Sequence, residues 1–134
     1  MKVTTIEKKS LLSTLWVFIL INMIVRDLHQ MLNKAAFEEM LLLDLPEEQV
    51  LLFGIVLEIP ILMIVLSRIL PGKVNRWVSI LAAIIMIAGF VTTLAQVDLD
   101  DLFFAAVNSI ALVFVVIISL IISFRSLNSV FGFL

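Results

Sequence analysis

The carboxyl of Glu58 is the first candidate for chemistry. It is followed at once by Ile59 and Pro60 inside GIVLEIPILMIVLSRIL, residues 54–70, which is otherwise apolar up to Ser67. An ionised side chain at the centre of a bilayer costs from about 3 to over 10 kcal/mol, depending on the reference state. Such a group must be neutral, paired or wet, so it can take up a proton or hold a cationic or polar solute. At a rise of about 1.5 Å per residue, Glu58 falls roughly 12 Å below the outer end of its apolar run, close to the midplane. Pro60 has no N–H, which frees the carbonyl of Val56 and tends to kink the helix one turn from the carboxyl.

Partners for Glu58 are expected from the first apolar run. At helical spacing Asn22, Arg26, His29 and Asn33 fall within about 60° of one another, while Asp27 points about 100° away from Arg26. The unbroken apolar part, residues 11–25, covers only about 22 Å, so Arg26 begins inside hydrocarbon and can snorkel. An Arg26–Glu58 ion pair is the expected contact. Asn108 with Ser109, and Thr92, Thr93 and Gln96, add polar groups between the midplane and the outer surface. The inner halves read as nearly pure Leu, Ile, Val and Phe, which predicts a polar cavity open to the outside above a hydrophobic floor. The structural alternative is that Asn, Ser and Thr join helices, at about 0.6 kcal/mol per contact, and that Arg26, Asp27 and His29 are interfacial anchors. As a metal ligand His29 would need Glu58 or Asp27 beside it, and no metal or cofactor is expected.

The elements that must position these groups follow from composition. The chain has 134 residues, 63% of them hydrophobic, with a mean hydropathy of +1.23. A single soluble domain of this size could not bury so much apolar surface, so its solvent is lipid. A net charge of −2 gives no basic footprint for nucleic acid. The absence of cysteine excludes disulfides and thiolate-ligated clusters, and one histidine excludes bis-histidine haem ligation within a chain.

Four apolar runs of spanning length, about 20 residues each, lie at 11–31, 49–70, 77–97 and 102–124 of a single domain, 1–134. Lys8 and Lys9 before the first run imitate a signal peptide, but Arg26-Asp27 follows in place of a small-residue cleavage site, and the run reads as a retained helix. Basic residues flank one side (Lys2, Lys8, Lys9, Arg68, Lys73, Arg76, Arg125) and acidic ones the other (Glu38, Glu39, Asp44, Glu47, Glu48, Asp98, Asp100, Asp101). The bias of Lys and Arg toward the cytoplasm predicts an all-α membrane protein, a four-transmembrane-helix antiparallel bundle with both termini inside. The turn at Pro71-Gly72 makes the second and third spans neighbours. Trp77 reads as an interfacial anchor, and Trp16 as a weaker one. Residues 33–45 read as an amphipathic segment lying on the membrane, and Asp44 with Glu47 around Pro46 has the spacing of a capping box.

Trp16 with Asn22 and Asp27, EIP at 58–60, LSR at 66–68 and NRW at 75–77 resemble, in that order and spacing, an uncharacterised family of small four-helix integral membrane proteins, mostly bacterial. The resemblance covers the first three spans, implies the same topology and singles out Asn22, Asp27, Glu58, Asn75 and Arg76. Its members tend toward a carboxylate early in the fourth span, where this chain has Asn108. The resemblance implies no activity.

Three functions are compatible with these residues. The first is a proton-linked transporter or channel with Glu58 as the titrating group, working as a homo-oligomer because four spans are few for a pathway. The second is a lipid- or ligand-binding or accessory subunit of a larger membrane complex, in which Glu58 and Asn22 orient a polar group. A membrane enzyme comes third, because only Glu58, Asp27 and His29 could serve as acid or base. The expected location is a bacterial inner membrane, crossed several times.

Overall fold

Where lipid surrounds a chain, each backbone N–H and C=O must be satisfied within the chain, and a helix does this segment by segment. The computed structural model describes the backbone of residues 5–93 and 99–131 and the side chains of residues 6–91 and 99–121. Among the described residues all regular structure is helical: α1 (Thr5–Leu32), α2 (Lys34–Leu42), α3 (Glu47–Ile69), α4 (Gly72–Thr93) and α5 (Leu99–Phe131). Four of these, all but α2, are long and apolar enough to cross a membrane.

Local chemistry sets the ends. A break at Asn33 separates α1 from α2, a nine-residue helix with no buried residue. Helix α3 takes Pro46 as its N-cap without a side-chain bond, so Asp44 does not close the expected capping box. The Pro46 carbonyl instead accepts from the backbone N–H of Gln49 at 2.9 Å and of Val50 at 3.3 Å. Proline fits here because a helix start leaves its first N–H groups unpaired in any case. At the other end Pro71 stops α3, and α4 begins immediately at Gly72, where a reverse turn was expected. Helix α3 runs unbroken through Pro60, whose ring is buried in the bundle.

The helices form a ring in which α1 packs against α3 and α5, and α4 against α5 and more lightly against α3. Leu12, Trp16, Ile19 and Met23 from α1 meet Met63 of α3, Ala82, Ala83, Met86 and Phe90 of α4, and Ala111, Leu112 and Val115 of α5. Trp16 is fully buried and is a core residue, which corrects its reading as an interfacial anchor. Trp77 is 65% exposed, with the Arg76 guanidinium 5.0 Å from its ring centroid. Outside the core the helices present large apolar side chains such as Phe18, Leu62, Ile84 and Phe114 to the surroundings, as expected when those surroundings are lipid.

Candidate functional site

The polar edge of α1 faces α5, and this decides the fate of the expected Arg26–Glu58 pair. Arg26 Nε donates to Asp101 Oδ1 at 3.0 Å, with both side chains about one-fifth exposed. Gln30 Nε2 donates to the same oxygen at 2.7 Å. One turn away His29 Nε2 stands 3.3 Å from Asp100 Oδ2, and its ring is 6.0 Å from that of Phe104. Deeper in, Asn22 Nδ2 donates to Asn108 Oδ1 at 2.9 Å and reaches the Phe104 carbonyl at 3.4 Å. Asp100 and Asp101 occupy the first turn of α5, where a helix start favours negative charge. The acidic start of α5 therefore supplies the counter-charge for α1. Asp27 lies outside this ladder, exposed on the neighbouring face, and Asn33 is exposed at the break before α2.

A second network joins α1, α3 and α4 at the opposite, basic end, where a hydrophobic floor was expected. Ser13, Ser67, Asn75 and Ser79 are all buried there. Ser13 Oγ donates to the Ile64 carbonyl at 2.9 Å and accepts from Arg68 Nε at 3.0 Å. Asn75 Nδ2 donates to the Ser67 carbonyl at 2.7 Å, and Ser79 Oγ donates to Asn75 Oδ1 at 3.3 Å. The physical reason is the end of α3. Its last carbonyls need donors from outside the helix, and the residue four places after Ser67 is Pro71, which has no N–H. Asn75 fills that need, and Lys9 Nζ does the same for the Leu70 carbonyl at 2.6 Å. The signal for this network was present in LSR and NRW, where Ser67, Arg68 and Asn75 stand.

Glu58 belongs to neither network. It is the central residue of α3, with eleven residues on each side between Glu47 and Ile69, and its side chain is exposed. Ser67, nine residues on, is buried; nine residues turn a helix through about 900°, or half a revolution beyond two whole turns. Glu58 thus points directly away from the bundle, and it makes no hydrogen bond or ion pair among the described residues. This corrects the expectation of a carboxyl looking into a polar cavity of its own chain. The concavity between α1 and α5 is instead an apolar groove of about 320 Å³, lined by Leu15, Phe18, Val107, Ile110, Ala111 and Phe114. Thr92, Thr93 and Gln96 lie outside the described side chains.

Residues 1–129 match the model of a family of unknown function, DUF6326. The chain belongs to this family. No curated protein and no solved structure is similar to it at a significant level. The family match covers α1, α3 and α4 whole and α5 as far as residue 129, including both polar networks and the outward face of α3, and with it the motifs EIP, LSR and NRW.

Proposed function

We propose that this DUF6326 protein is a small multi-pass subunit of a membrane assembly that engages a partner laterally, within the bilayer, through Glu58 on the outward face of α3. One observation carries the reading: a carboxyl at the centre of a 23-residue apolar helix turns away from its bundle and has no hydrogen-bond or ion-pair partner among the described residues. The hydrocarbon has no water to do so, and an ionisable residue at this depth is expected to have a partner. Positive residues at the basic end support an orientation with that end, and both termini, in the cytoplasm. The resemblance to mostly bacterial proteins supports a bacterial inner membrane as the location.

The test is photocrosslinking in native membranes. A photoreactive side chain at Ile55 or Leu62, both exposed beside Glu58, is expected to trap a protein, whereas one at Val113 on α5 is not. Glu58→Leu is expected to abolish the adduct. Adducts with lipid alone at both α3 positions overturn the proposal.

A second reading, proton-linked transport or conduction, is favoured by the depth of Glu58. The pathway then runs along the contact between polypeptides, since the bundle itself offers an apolar groove. Liposomes holding a pH-sensitive dye distinguish it: flux present in the wild type and lost in Glu58→Gln supports transport, and absence of flux in both removes it.

A further inference from the structure

Helix α3 is the least enclosed of the four spans. Within its most apolar window 17% of the residues are buried, against 28%, 33% and 28% for α1, α4 and α5. Its uncovered face carries Leu51, Gly54, Glu58, Ile61 and Val65, all exposed, spaced three and four residues apart as in a helix-pairing seam. Gly54 lies one turn from Glu58, and nothing stands within 4 Å of where its Cβ would be. A glycine there lets a second backbone come close, and a polar side chain one turn away supplies an interhelical hydrogen bond, the two devices that join helices in lipid.

Resting on the lateral reading above, we infer that the partner is a second copy of this chain, with two α3 helices side by side about a two-fold axis, Glu58 facing Glu58 and Gly54 allowing the approach. Hydrogen-bond self-complementarity selects this occupant. A neutral carboxyl carries one donor and free acceptors, so two of them facing each other satisfy both groups without an ion or water. A two-fold contact necessarily brings a residue near the axis to its own counterpart. A head-to-tail contact would have to offer Glu58 a different group from this chain. Among the described residues, however, the outward faces of α1, α4 and α5 carry no cation or second carboxyl at mid-span.

The experiment uses the purified chain in lipid vesicles at low protein density. Because the chain has no cysteine, single cysteines report cleanly. Oxidation is expected to link copies through Ile61→Cys and Val65→Cys but not through Ile84→Cys on α4 or Val113→Cys on α5. Association, followed by energy transfer between labelled copies on dilution in lipid, is expected to weaken about tenfold in Glu58→Leu, the scale of the two carboxyl bonds lost together. Glu58→Gln, whose amide is also self-complementary, is expected to stay near wild type, and Gly54→Leu to block association. Association through α4 or α5, or wild-type affinity in Glu58→Leu, overturns the proposal. A purified chain that stays monomeric while Ile55 traps a different polypeptide in native membranes overturns the second copy and leaves the lateral reading standing. A monomer with no protein adduct in native membranes removes both.

Discussion

Asn22 Nδ2 and Asn108 Oδ1 meet at 2.9 Å where α1 and α5 close on each other, and the bond is lopsided. Asn22 also reaches the Phe104 carbonyl, whereas the Nδ2 of fully buried Asn108 has no hydrogen-bond partner among the described residues. Replacing Asn22 by Leu leaves both amide atoms of Asn108 buried and unmet, whereas replacing Asn108 by Leu leaves Asn22 a remaining acceptor. Both variants are expected to lose stability, Asn22→Leu by more, on the scale of about 0.6–1.7 kcal/mol for interhelical bonds in lipid. Unfolding in graded denaturing detergent, followed by the fluorescence of buried Trp16, measures both. A double variant costing the full sum of the single losses would show that the two residues act independently.

The ion pair nearer the helix end has a different signature. Asp101 Oδ1 accepts from both Arg26 and Gln30, so its removal strands two donors. Asp101→Leu is expected to cost roughly 1.5–3 kcal/mol, the range for hydrogen bonds to charged groups, towards the lower end because the pair is partly exposed. Adding Arg26→Met to that variant is expected to recover part of the loss, because an unpaired charge costs more than an absent pair. The same unfolding assay decides it: a double variant less stable than Asp101→Leu alone would refute the account.

How much of this was legible in the sequence differs between the bundle and the site. Apolar run length and flanking charge located four long helices, because hydrocarbon thickness and backbone satisfaction leave few other solutions. Helical periodicity also placed Asn22, Arg26 and His29 on one edge of α1, but it could not say which neighbour that edge meets. The ring order decides that, and it turned Arg26 to Asp101 on α5 and away from α3. The outward direction of Glu58 was hidden for a related reason. Apolar residues surround it on every side of α3, so no hydrophobic contrast distinguishes the buried face from the lipid face. The roles of Ser13 and Ser67 at the basic end were hidden because both donate to the Ile64 carbonyl, and a backbone carbonyl carries no residue-type signal. Beside the polar residues of LSR and NRW, Pro71, four places after Ser67, marked that a carbonyl would need a donor.

That missing donor gives a third expectation. Asn75→Ala removes the side chain bonded to the Ser67 carbonyl at 2.7 Å and the acceptor of Ser79 at 3.3 Å. A buried group left unmet costs about 1–3 kcal/mol, so this variant is expected to rank among the more damaging single polar changes in the bundle. Asn75→Asp preserves the size but cannot donate in its ionised form, and is expected to be no better. Retention of wild-type stability by Asn75→Asp would show that the carbonyl at the end of α3 does not depend on this donor.

Glu58 is predicted to behave in the opposite way from these three. It makes no bond among the described residues and points half a turn away from Ser67 and the core side of α3. In micelles dilute enough to hold single chains, Glu58→Leu and Glu58→Gln are therefore expected to unfold within about 0.5 kcal/mol of wild type, as for substitutions outside the packed interior. Both are expected to keep the buried environment of Trp16. A loss as large as that of Asn75→Ala under the same conditions would mean that the carboxyl is held by its own bundle. The case for a lateral partner would then fall, because that case requires the free energy associated with Glu58 to appear between chains and not within one.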